Sequence, residues 1–145
     1  MSTAHLLRIA YASATALSRA ELDTHLSSWR RLNARRGITG FLVYDRASVF
    51  QVLEGFPEIV EELYAHIARD PRHDHVVQLA ADARTHRSFG DWSLGLARAT
   101  VTDLAALPGL SALADPAFQL WQADAAMAAT LIEAFTAWPW RRMIT

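Results

Sequence analysis

Val49-Phe50-Gln51-Val52-Leu53-Glu54-Gly55 is the stretch that decides how this chain is read. It is short and apolar on both faces, so it reads as a strand inside a sheet rather than at its edge. Strand side chains alternate, which puts Val49, Gln51 and Leu53 on one face and Phe50, Val52 and Glu54 on the other. Gln51 is then a neutral amide between aliphatic neighbours. Burying an amide without partners costs roughly 2–7 kcal/mol, depending on the reference state. Something polar has to meet it: a side chain, a backbone group, a water, or a ligand with a donor and acceptor edge.

The flanking sequence supplies the rest of a sheet. Residues 38–44 read as a strand, and Asp45-Arg46-Ala47 is a tight connection that makes a hairpin with the Gln51 strand. Residues 6–13 read as the first strand, with Leu7, Ile9, Tyr11 and Ser13 on one face. Ser18 and Glu21 form a capping box that opens a helix running to about residue 35, and Gly37 ends it. Its apolar stripe is Leu22, Leu26 and Trp29. Asn33 follows at i+11 from Leu22, about 20° away on the helical wheel, so a second amide occupies a buried stripe. Pro57 and Glu58 suit the first turn of a second helix with Val60, Leu63, Tyr64 and Ile67 on its inner face. Asp70-Pro71 stops it. Residues 76–80 read as a fourth strand, and residues 92–96 as a fifth with Trp92, Leu94 and Leu96 on one face.

Strand, helix, strand, strand, helix, strand, plus one more strand, is an α+β ferredoxin-like sandwich (βαββαβ with a fifth strand). The helices cover one sheet face. The C-terminal segment is expected to cover the other, through a helix starting at Asp115-Pro116 with a stripe of Leu120, Met127, Leu131 and Trp138. The expected organisation is residues 1–98 as the main domain and residues 99–145 as a helical cap and interaction segment.

Composition narrows the chemistry. The chain has 145 residues, which suits one domain. It has no Cys, which excludes thiolate metal sites, thiol nucleophiles and a cysteine–cofactor adduct. All 14 basic residues are Arg, so a lysine Schiff base and a phosphate-loop lysine are excluded. A net charge of −1 offers no field to draw in nucleic acid. No apolar run is long enough to span a bilayer, and the stretch before Arg8 is too short for a secretory signal, so a cytoplasmic protein is expected.

Several pieces in order resemble a known family, the sensors of blue light using flavin, or BLUF domains. They are Tyr11 near the end of the first strand, Asn33-Ala34-Arg35 closing the first helix, and Ile38-Thr39-Gly40. Phe50-Gln51-Val52-Leu53-Glu54-Gly55, Arg69-Asp70-Pro71-Arg72-His73 and Phe89-Gly90-Asp91-Trp92-Ser93 follow. The resemblance runs from about residue 6 to residue 97. It implies a photoreceptor, not an enzyme, that holds FAD non-covalently between the two helices. It implies Tyr11 as the light-driven electron donor and Gln51 as the bridge from Tyr11 to the flavin's C4=O/N5 edge. Asn33 would bond the flavin's carbonyl and N3 edge, Arg72 the far carbonyl, and Trp92 would stand beside Gln51. His73 and Leu94 complete the implied flavin-contacting set. Leu94 stands where the family usually has Met, and leucine accepts no hydrogen bond, which bears on signal relay. The residues themselves agree with the resemblance: two buried amides without a charged partner suit a neutral, flat heterocycle.

Blander readings stand beside these. Tyr11 alone is a core tyrosine, Gln51 is satisfied by a neighbouring strand or water, and Asn33 bonds backbone near a helix end. His73 and His75, two apart, would share a strand face; a zinc or copper site would lack a third ligand, so a solvated or capping role is expected and no metal. Arg30, Arg31, Arg35 and Arg36 are either a solvated face favourable to the helix dipole or a contact to the FAD diphosphate. Two rivals share the sandwich shape: a small acyl-phosphate hydrolase and a flavin-free interaction module. With no output enzyme read in the sequence, the sensor is expected to act through a partner protein. The segment 120–140, rich in Trp, Met and Phe, is expected to supply a self-association or partner surface.

Overall fold

The computed structural model describes residues 5–145; residues 1–4, which open the expected 1–98 domain and the stretch before Arg8, lie outside the described residues. The chain runs through β1 (Leu6–Thr15), α1 (Arg19–Arg36), β2 (Thr39–Asp45), β3 (Ser48–Gly55), α2 (Pro57–Arg69), β4 (His73–Arg84) and β5 (Gly95–Leu96). Two further helices, α3 (Val101–Ala105) and α4 (Ala125–Thr136), follow with three short 3-10 turns. The sheet order is β4-β1-β3-β2-β5, antiparallel throughout except that β5 pairs parallel to β2. This is the ferredoxin-like order with an added strand at one edge. β3 lies at the centre, and all eight of its residues are buried.

Local chemistry fixes the boundaries. Ser18 Oγ accepts from the Glu21 N–H and Glu21 Oε1 accepts from the Ser18 N–H, both at 3.1 Å, which satisfies two donors that the helix start leaves free. Gly37 closes α1 at φ 67°, a conformation that costs glycine nothing. The β2–β3 hairpin turns through Arg46 and Ala47, both at positive φ. Arg46 is held there by the Asp45 carboxylate at 2.8 Å and by the carbonyls of Leu113 and Phe118.

The sheet separates two cores. Ile9, Tyr11, Leu42 and Leu53 face α1 and α2. Phe41, Val43, Phe50 and Val52 face Leu104, Leu113, Leu131 and Phe135 of the C-terminal segment. The alternation read from residues 49–55 therefore sorts the two cores as expected.

Five readings need correction. The cover helix does not start at Asp115-Pro116: a 3-10 turn (Leu120–Gln122) comes first, and Asp124 caps α4 by accepting from the Met127 N–H. Trp138 lies beyond α4 and is 71% exposed, not on a buried stripe. The fourth strand is longer than residues 76–80, because β1 carries it along its whole length. The fifth is shorter than residues 92–96, and its faces are split: Leu94 and Leu96 join the α1/α2 core while Trp92 packs on the other. The chain is irregular at residues 91–94, so simple alternation does not apply there. Finally, His73 and His75 do not share a face. The β1–β4 register shifts between Ala12 and Ala14, and His75 sits at φ 51° in the bulge. His73 turns toward Ser13 and Tyr11, while His75 stacks on Trp121 with ring centroids 4.2 Å apart.

The chain's last residues return to the sheet. The Leu96 N–H donates to Thr145 O at 3.1 Å and the Thr145 N–H to Leu96 O at 3.0 Å, while Ala97 bridges Ile144. Gly95 makes this approach possible, since a Cβ there would lie 2.2 Å from Ile144 Cγ2.

Candidate functional site

A pocket of about 180 Å³ opens between α1 and α2 over the sheet. Its position explains an oddity of α2: of its inner face only Val60 is fully buried, because Leu63 and Ile67 line the pocket rather than meeting α1. Leu22, Leu42, Val49 and Leu94 supply further apolar wall.

Tyr11 and Gln51 are directly opposite each other in the β1–β3 ladder, on the face that α1 and α2 cover. Opposed residues in an antiparallel pair have Cβ atoms about 4.5–5.5 Å apart, so the two side chains meet. The Tyr11 hydroxyl donates to Gln51 Oε1 in a short hydrogen bond. Tyr11 is 1% exposed, and burial pushes its phenol pKa far above the usual value, with Tyr64 adding a smaller push. The phenol therefore keeps its proton in the resting protein. Gln51 Nε2 makes no hydrogen bond to any described residue, and Gln51 lines the pocket.

Asn33 is buried on α1, as its stripe position predicted, and its Nδ2 donates to Ser93 O at 2.9 Å. Its Oδ1 makes no hydrogen bond among the described residues, and the side chain lines the pocket. Arg72 stands at the mouth, where its guanidinium pairs with Asp70 at 2.6 Å and holds that carboxyl down to about 2. His73 lines the pocket floor beside Tyr11, and Ser13 Oγ lies 3.0 Å from its Nδ1. Burial lowers the His73 pKa and Arg72 lowers it further, against an opposing pull from Asp70.

Trp92 is not in the pocket with Gln51. Its ring lies on the opposite sheet face with the Arg141 guanidinium 4.7 Å from the ring centroid. Leu94 takes the inward place. The arginine cluster divides: Arg36 lines the pocket, whereas Arg30 is committed to the carbonyls of Leu94 and Thr145. Among the described residues no group of three or more His, Asp or Glu side chains is placed to hold a metal.

One residue escaped the sequence reading. Glu54 is 1% exposed, and its carboxylate accepts from Thr39 Oγ1 at 3.0 Å and from the N–H groups of Ser88 and Phe89 at 2.8 and 2.9 Å. It anchors the loop that leads to Ser93 and Leu94. The available signal was an acidic residue alternating with Phe50 and Val52 on a core strand.

The donor set fits a flavin. An apolar slot holds a free amide N–H pair from Gln51 and a free amide oxygen from Asn33, which complement a flat heterocycle with acceptor and donor edges. A sequence profile described as "Sensors of blue-light using FAD" matches residues 6–95.

The chain belongs to the BLUF family.

BLUF domains are flavin-binding blue-light sensors rather than catalysts, and residues 6–95 are such a module. Photoactivated adenylate cyclase subunit beta of Euglena gracilis is 42% identical over 62 residues, 43% of this chain and 7% of that protein. A structure of BlrB, a BLUF protein in its dark state, has a TM-score of 0.71 at 26% identity, covering 93% of this chain and 98% of that one. BlsA in its photo-activated state has a TM-score of 0.73 at 25% identity, covering 90% and 94%. The chain thus spans only a small part of the Euglena relative. Among the described residues no helix is long and apolar enough to cross a membrane.

Proposed function

We propose that the pocket between α1 and α2 holds FAD, and that Tyr11 and Gln51 carry out the light response. The observation that carries this is the Tyr11–Gln51 hydrogen bond inside an apolar pocket, with the Gln51 amide N–H groups left over. Asn33 would hold a second polar edge of the ring, Arg72 and His73 would close the mouth and floor, and Leu94 would form a wall. The volume is on the scale of a ring system, so the rest of a dinucleotide would pass the mouth near Arg36 and Arg72.

A bound flavin supplies the absorption of blue light and an excited state that takes up an electron and a proton. The protein supplies the rest. Tyr11 is the phenol that gives up an electron, and burial keeps its proton in place until then. Its acidity rises sharply on oxidation, and the proton leaves Oη along the bond to Gln51 Oε1. Gln51 has an acceptor end and a donor end, so it passes a proton on and settles into a changed hydrogen-bond arrangement when the charge returns. The apolar wall excludes water that would otherwise compete for these bonds.

Residues 1–98 then form the sensing unit and residues 99–145 a cap and interaction segment for a partner protein or a second copy of this chain, in the cytoplasm. Exposed Trp138 supports an interaction role. Purified protein should be yellow, and the flavin it releases on denaturation should elute as FAD; release of FMN would correct the cofactor, and colourless protein that cannot be reconstituted would overturn the proposal. Light scattering in the dark and under blue light tests assembly, and a monomer in both would contradict the homo-oligomer.

A further inference from the structure

Arg30 on α1 reaches two parts of the molecule at once. Its Nε donates to the carbonyl oxygen of Leu94 at 2.8 Å, and its Nη2 donates to that of Thr145 at 2.7 Å. Leu94 is a wall of the chromophore pocket. Thr145 lies in the segment that pairs antiparallel with β5, exchanging two hydrogen bonds with Leu96. One turn further along α1, Asn33 grips the neighbouring carbonyl of Ser93 at 2.9 Å. Two side chains of one helix face therefore hold consecutive carbonyls of the irregular stretch before β5.

The chemistry of the guanidinium gives this contact its meaning. Nε and Nη2 lie in one rigid plane, so the two carbonyls they bind have a fixed separation. A shift of the Leu94 backbone must move Thr145 with it or break a charge-assisted bond. Thr145 O also accepts from the Leu96 N–H, so one oxygen serves both the Arg30 contact and the pairing with β5. Gly95 leaves no slack, because Ile144 already fills the space where a side chain would be.

We infer that Arg30 is a positioning residue that couples the pocket wall at Leu94 to the segment bridged to β5, so that a change at the chromophore is read out as loosening of residues 143–145 from β5. This rests on the photoreceptor reading and adds the route by which that site reaches the cap segment. Arg30 is outside the pocket lining, so its side chain is not itself one of the pocket's contacts.

The test is hydrogen exchange on the flavin-loaded full chain, in the dark and under sustained blue light, with absorption recorded on the same samples. In the wild type, light should speed exchange at the Leu96 and Thr145 amides. In Arg30→Gln, dark exchange at these amides should already be roughly tenfold faster and the light–dark difference should shrink, while the absorption shift persists. Arg30→Lys keeps the charge but not the rigid fork that fixes the separation of the two oxygens, so it should behave like Arg30→Gln. A wild-type light–dark difference in Arg30→Gln, or a wild-type absorption shift with no change in exchange, would overturn the coupling alone. Absence of any absorption shift in the wild type would overturn the photoreceptor reading, and the coupling with it.

Discussion

Ser13 Oγ and His73 Nδ1 lie 3.0 Å apart, joined across the point where the β1–β4 ladder slips. The bulge spends an extra residue on β4, and that residue is what lets His73 face the pocket while His75 faces the opposite side. The imidazole is held in a dry place, and burial is the larger cause of its lowered pKa.

This gives a pH prediction with a definite sign. An unfolded histidine titrates near its ordinary 6.5, and His73 in the folded chain titrates below that. Between those values the unfolded chain binds more protons, so stability falls as pH drops through about 6.5 and keeps falling until the folded group titrates. Denaturant midpoints measured between about pH 7.5 and pH 5.5 should show this decline, and His73→Gln should flatten it. An equal slope in the variant would contradict the assignment.

The β2–β3 turn carries a removable strain. Arg46 and Ala47 both adopt positive φ, as a two-residue hairpin of this hand requires. A non-glycine residue there costs roughly 1–2 kcal/mol, part of which glycine returns as unfolded-chain entropy. Ala47→Gly should therefore stabilise the protein by about 0.5–1 kcal/mol, seen as a higher denaturation midpoint with unchanged flavin content. A lower midpoint would show that the turn is not strained.

Glu54 should matter more than its distance from the pocket suggests. Glu54→Ala leaves the Ser88 and Phe89 N–H groups without their acceptor, each worth about 1–3 kcal/mol when buried. The loop to Ser93 and Leu94 loses its anchor, so both stability and flavin retention should fall. Retention equal to wild type, measured by the ratio of flavin to protein absorbance, would separate the loop from the pocket.

Much of this was legible in the sequence because it depends on period. The alternation in residues 49–55 placed Gln51 and Phe50 on opposite cores, and the helical period brought Asn33 to the buried side of α1. What was not legible depends on breaks in period. The bulge at His75, the irregular stretch holding Trp92 and Leu94, and the Asp124 cap that delays α4 are tertiary solutions to local geometry. No spacing announces them. Arg30 shows the same limit from another side: its place in an arginine cluster suggested a solvated face or a phosphate contact, yet its partners are carbonyls distant in the chain.

The central claim is that Tyr11 and Gln51 form a proton path to a flavin. A blue-light difference spectrum of flavin-loaded wild type, Gln51→Leu and Tyr11→Phe tests it most directly. The account predicts a small, reversible red shift in the wild type, with Gln51→Leu keeping the yellow colour but losing the shift, and Tyr11→Phe losing the forward reaction. A normal red shift in Gln51→Leu would contradict it.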